Sequence, residues 1–251
     1  MKRTMTFGLF LLAVGLLIGG HLPDDTRAQV ANPICFSSEW REILSHMSIV
    51  YLDDGYGGQL KTIRLTGVNL QVVNGAGDTV TTNGVGNVIV GYNELGHPAG
   101  DDRTGSHNVV AGQQSNYVSY GGLVVGWRNT ITAPYATVTG GCENVASSFY
   151  SSVGGGWQNE ASGDYSSVGG GRFNTATGTY SSVSGGDNND ASSRSSSVSG
   201  GQNNAASGWS SSVTGGYGNT AAGDWSAVSG GQNRSAAGMY DWAAGGLWQD
   251  F

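Results

Sequence analysis

Valine stands at positions 138, 153, 168, 183, 198, 213 and 228, fifteen residues apart without a slip, and Ala243 continues the series. A period held this long means a stack of like coils, in which each unit touches mainly its neighbours and stability comes from the stacking. That register constrains the fold more than any single residue. It also overrides the disorder that 44 glycines in 251 residues would otherwise imply.

The remaining columns define the coil. Counted from each valine as zero, position +8 is alanine from Ala146 to Ala236, and position +6 is asparagine from Asn144 to Asn219 before Arg234 replaces it. Positions +2 and +3 are Gly-Gly pairs, from Gly140-Gly141 to Gly245-Gly246, and position −2 is mostly serine, as at Ser151 and Ser166. The even columns read Ser-x-Val-x-Gly, a turn, then Asn-x-Ala-x-Gly and a second turn. Alternation with period two predicts two short strands per coil whose even columns share one inward face. That face holds only small residues, as a coil closed by two strands requires. The predicted class is all-β, a solenoid of fifteen-residue coils. Helix is excluded here because serine, threonine, glycine and asparagine are poor helix formers.

Two columns invite a closer reading. An asparagine in every coil predicts a hydrogen-bonded ladder along the stack, although tolerance of a left-handed turn explains asparagine equally well. The odd column −3 is aromatic at Tyr135, Tyr150, Tyr165, Tyr180, Trp225 and Tyr240. Odd columns face outward, so these rings form an apolar stripe. A contiguous stripe marks subunit packing or a bound partner, and subunit packing is the preferred expectation.

Residues 1–28 read as a secretory signal: Lys2 and Arg3 precede an apolar run from about Phe7 to Ile18, with cleavage expected after about Ala28. No membrane span is expected in the mature chain, because the run is short for one. A linker and short helix are expected over 29–55. Phe36, Trp40, Ile43, Met47 and Val50 follow heptad spacing over 36–52, with Ser37 or Ser38 as the cap. Such a short helix is marginal alone, which favours several copies packing together. Residues 56–84 are expected to hold strands, from the alternation of Ile63 and Leu65 and then of Val68, Leu70 and Val72. Irregular coils with loops follow over 85–134, regular coils over 135–239, and an aromatic cap over 240–251 built on Tyr240, Trp242, Leu247, Trp248 and Phe251.

Ser166-Ser-Val-Gly-Gly and Asn174-Thr-Ala-Thr-Gly resemble the head repeats of YadA-like trimeric autotransporter adhesins. The resemblance covers about residues 85–246. It implies a left-handed parallel β-roll, a homotrimer and an extracellular or cell-surface location, and the heptad helix fits a trimer. Those heads repeat over about fourteen residues, whereas these coils have fifteen. A long coiled-coil stalk and a C-terminal barrel anchor are not expected in this chain. The whole arrangement, including Gly105-Ser-His-Asn-Val-Val-Ala-Gly, is similar to a group of secreted bacterial proteins of uncharacterised role.

No chemistry is expected. His97 and His107 flank Asp101 and Asp102, but a polar loop facing water accounts for them and no metal site is predicted. The repeat lacks the regular aspartate of calcium-binding rolls. Gly154-Gly155-Gly156 is a turn without the strand-to-helix setting of a phosphate cradle. Asp164, Asp187, Asp190 and Asp224 fall on different columns, unlike the paired carboxylates of glycoside hydrolysis. A formal charge of −7 without a basic stripe argues against nucleic acid. No cofactor and no enzyme activity are expected. The expected function is an exported structural or adhesive rod contacting an extracellular protein or glycan surface. The alternatives are a solenoid binding carbohydrate through the Tyr/Trp stripe, or ice through its serine rows such as Ser152 and Ser167, and less readily a β-helical polysaccharide-active enzyme.

Overall fold

The computed structural model describes residues 37–245, so the expected signal segment, Cys35, Phe36, Leu247, Trp248 and Phe251 lie outside the described residues. The chain forms two compact units that divide after Asn69.

In the first unit, helix α1 (Ser38–Ser45) is capped by Ser37, whose hydroxyl accepts from the Trp40 amide at 3.4 Å. The helix expected to reach residue 52 stops at Ser45. Met47 and Val50 instead belong to strand β1 (Met47–Asp53), which pairs antiparallel with β2 (Gln59–Leu65) from Met47↔Leu65 to Asp53↔Gln59. The cause is local. Ile49, Val50 and Tyr51 prefer an extended backbone, and the Asp54 carboxylate closes the turn by accepting from the Tyr56 and Gly58 amides at 2.8 Å. Gly55 and Gly57 supply the positive φ that this turn needs. The strand expected over Val68, Leu70 and Val72 does not form, because that segment finds no pairing partner. No residue of α1, β1 or β2 is fully buried.

The second unit is an all-β parallel solenoid. One sheet has eleven strands, from β3 (Val88–Val90) to Trp242–Ala243, and carries the valine column. The other has nine strands, from Asn116–Tyr117 to Ser235–Ala236, and carries the alanine column. Each strand pairs with its counterpart one coil away, as in Val153↔Val168 and Ala161↔Ala176. Single bridges from Trp127 through Cys142 and Trp157 to Gln232 make a third ladder at the turn between the sheets. Valine and alanine meet in a narrow core, buried from Val110 to Ala236.

The fifteen-residue period begins only at Val138. Val110, Val124 and Val138 are fourteen apart on the valine sheet, as are Tyr117 and Ile131 on the alanine sheet. The longer coil contains one more glycine. Gly112, Gly126, Gly141 and Gly156 stack in one column at positive φ, so the added residue is the preceding glycine, first seen at Gly140. An added residue that bulges from a turn leaves both strands in register.

The asparagine column forms the predicted ladder. Each Asn Oδ1 accepts from the backbone amide of the next column member, as from Asn174 to Asn159 at 3.0 Å. The Asn174 amide group donates to Gly170 and Gly186 carbonyls at 2.9 Å and to Asn159 Oδ1 at 3.1 Å. These side chains are buried. Left-handed geometry is not their purpose, because the positive φ falls one residue earlier, at Glu143, Gln158, Phe173 and Asn188.

Candidate functional site

The aromatic column lies at the second turn of every coil. Gly163 to Ser166 closes by a 3.0 Å hydrogen bond from the Ser166 amide to the Gly163 carbonyl. The third residue, Tyr165, sits at φ 58°. Tyr135, Tyr150, Tyr180, Trp225 and Tyr240 share that conformation, as do Ser195 and Ser210 in the two coils that lack a ring. A bulky residue in the left-handed region costs of order 1–3 kcal/mol. The geometry persists because it turns the amide back along the axis: Tyr165 donates to the Phe149 carbonyl and Tyr180 to the Asp164 carbonyl, both at 2.8 Å.

With the backbone held this way, the rings stack on one another. Tyr135 and Tyr150 lie 4.9 Å apart at 10°, Tyr150 and Tyr165 5.2 Å at 15°, and Tyr165 and Tyr180 5.0 Å at 14°. Trp225 and Tyr240 stack at 5.3 Å. Where Ser195 and Ser210 interrupt the column, the preceding residues fill in. The Arg194 guanidinium lies 5.9 Å from the centre of the Tyr180 ring, and Trp209 packs on Trp225 at 4.6 Å. At the start, Tyr120 meets Tyr135 edge-on at 5.5 Å. Gly121 has no alternative there, since its φ is 69° and a Cβ would press into the Tyr135 ring. The result is a ridge of rings and one guanidinium with its edges to solvent; Tyr165 is 48% exposed. Phe149, whose ring meets Tyr150 edge-on at 4.8 Å, Arg194 and Trp209 fall outside the aromatic column in sequence, and only their ring contacts reveal their part.

The opposite corner has a different chemistry. Glu143 accepts from Gln158 Nε2 at 2.6 Å and Trp157 Nε1 at 3.4 Å, and pairs with Arg128 at 3.5 Å. The Gln158 hydrogen bond first, then those of Trp157 and Arg128, hold its carboxyl below the ordinary carboxylate range. Farther along, Arg172 pairs with Asp187 at 2.8 Å. Beside Glu143, burial and then the Glu143 charge push the Cys142 thiol up, away from the lowered values that make a thiol reactive.

His97 and His107 serve mainly backbone partners, with the Thr130 hydroxyl also 3.1 Å from His97 Nε2. His97 Nδ1 accepts from the Ala99 amide at 3.1 Å, which leaves Nε2 to donate to the Arg128 carbonyl at 3.1 Å. The loop around it is tied by Asp101, which accepts from the Gly96 amide at 3.0 Å and the His97 amide at 3.2 Å, and by Arg103, which donates to the Asn93 and Glu94 carbonyls. Those two amides hold the Asp101 carboxyl low. His107 Nε2 accepts from the Asn74 amide at 3.2 Å and Nδ1 meets the Thr79 carbonyl at 3.1 Å. Among the described residues, no three histidine, cysteine, aspartate or glutamate side chains gather as metal ligands. Among them, too, no helix is long and apolar enough to cross a membrane.

Of the residues singled out in the sequence, the structure brings the six aromatic column members onto one ridge. It separates the heptad set: Trp40 and Ile43 stay on α1, while Met47 and Val50 point from a strand. Of the expected cap, Tyr240 stacks on Trp225, and Trp242 Nε1 donates to the Ser229 hydroxyl at 2.7 Å. No model of a known protein family matches this chain. No curated protein matches it either.

Proposed function

We propose that this chain is an exported structural or adhesive rod, associated as a homotrimer, that touches an extracellular protein or glycan surface through its aromatic ridge and catalyses no reaction. The observation that carries this reading is the ridge itself. Rings repeat about 5 Å apart from Tyr135 to Tyr180, and each is held at a costly backbone conformation rather than replaced by the serine that Ser195 and Ser210 prove acceptable. Contiguous exposed apolar surface of this kind marks interaction sites. Rings already fixed by stacking lose little conformational freedom on contact, which favours binding.

The test is the full exported chain with Tyr150→Ser, Tyr165→Ser and Tyr180→Ser combined. Serine already occupies this column in two native coils, so the variant keeps cooperative unfolding. Retention on immobilised matrix proteins, glycans and bacterial cells is expected to fall at least tenfold. Equal retention of the variant would remove the ridge from the account. Retention confined to glycans would favour the carbohydrate-binding form of this reading.

A further inference from the structure

The two sheets of the solenoid present unlike outward faces. On the valine sheet the outward columns run from Val88 and Val90 through Leu123 and Val125 to Ser167, and on to Trp242 and Ala244, and no charged residue occurs in either column. The alanine sheet carries Glu160 and Asp190 on its outward columns. Its first strand lies under the chain's own loop, where the Tyr117 amide donates to the Asp102 carbonyl at 3.0 Å. Both corners carry charges as well, Arg128 and Glu143 on one and Asp164 and Arg194 on the other.

The valine sheet's outward face therefore lacks the charged covering seen elsewhere on the solenoid. Its ends expose large apolar groups, with Val90 at 62% and Trp242 at 70%. Its middle is lined by serine, threonine and glycine and is dished, with a depression of about 420 Å³ between Thr137 and Ser184. Parallel sheets ordinarily have both faces covered. Eleven strands about 4.8 Å apart, each crossing the face with about five residues, give roughly 50 by 16 Å. That area, about 800 Å², is what one partner contributes to a stable interface.

We propose that in the trimer each chain turns its valine-sheet face towards the other two copies, so that these faces pack together about the three-fold axis. A charge-free sheet face needs a charge-free partner, because an opposing carboxylate would be desolvated without compensation. Among the described residues only one sheet face is of that kind, the chain's own. This inference rests on the self-association proposed above and assigns it to the valine sheet rather than to the aromatic ridge, leaving the ridge free for an outside surface.

Ser167–Val168 is the sixth of the eleven strands, so Ser167 lies at mid-face, level with its own copies in parallel chains about the axis. The test uses the full chain with Cys35→Ser and Cys142→Ser, and compares Ser167→Cys with Ser162→Cys on the other face of the same coil. The expected result is at least tenfold more disulfide-linked dimer from Ser167→Cys under mild oxidation. The mass of Ser167→Arg in solution should fall from a multiple of the chain mass to a single chain. Equal cross-linking from the two cysteine variants, or an undiminished mass for Ser167→Arg, would overturn the face while leaving self-association intact. A wild-type protein of single-chain mass would overturn self-association and the face together. Should Ser167→Arg fail to fold, the cysteine pair decides, since a thiol for a hydroxyl is a small change.

Discussion

At the residue scale, neighbouring positions with the same letter have unlike roles. Gly170 has open space where a Cβ would stand, whereas Gly171 has φ 85° and its Cβ would overlap the Gly186 carbonyl oxygen. Gly171→Ala should cost about 3 kcal/mol or more, from the left-handed backbone and the overlap together. Gly170→Ala should stay within about 1 kcal/mol; thermal unfolding of the two variants checks this. The serine column divides too. Ser196 Oγ donates to the Ser193 carbonyl at 2.7 Å, but the Ser181 hydroxyl is buried without a partner. Ser196→Ala should cost about 1 kcal/mol, and Ser181→Ala should be neutral or stabilising. Asn189 is the strongest case: Asn189→Ala strips the Asn204 amide and the Gly185 carbonyl of their partners and leaves the Gly201 carbonyl only the Asp187 amide at 3.0 Å. Its expected cost is about 3 kcal/mol or more in denaturant unfolding, against about 1 kcal/mol or less for half-buried Asp187→Ala, which loses an ion pair with the exposed Arg172. The inward columns were legible from letters alone because a core this narrow admits few side chains. The left-handed aromatic column was not, since nothing in a tyrosine's identity announces positive φ, and the Ser195 and Ser210 substitutions reveal it only once the backbone is seen.

At the scale of elements, the same residues satisfied two periods. Trp40, Ile43, Met47 and Val50 fit a heptad, while Met47, Ile49 and Tyr51 alternate as a strand. The strand prevails beyond Ser45 because β2 supplies a partner along its whole length, and an isolated helix of this length gains too little to compete. The change of coil length at Val138 is half legible: Val110, Val124 and Val138 already stand fourteen apart, but Tyr117 and Ile131 replace the alanines that mark the second strand in the later coils. At the polar corner, the lowered Glu143 carboxyl fixes a sign. Its folded value lies below the ordinary 4.5, so its contribution is present above that pH and is lost as pH falls through the lowered value. Replacing its main donor with Gln158→Leu should raise the Glu143 pKa towards 4.5, which carboxyl NMR titration can read.

For the solenoid as a whole, like coils make stability approximately a sum of neighbour terms, and the asparagine column ties one coil to the next at its buried turn. Unequal surfaces then follow from the outward columns: a stacked aromatic corner, a charged corner, one sheet face with carboxylates and one without any charge. The most direct measurement is residue-resolved hydrogen exchange on the full chain. Coherent stacking predicts that the Asn159, Asn174, Asn189 and Asn204 amides, which donate to side-chain oxygens one coil away, exchange as slowly as those of Val168 and Val183 in the sheet. Exchange at those four amides as fast as in an unstructured chain would contradict the column, and with it the rigid ridge on which the proposed contact depends.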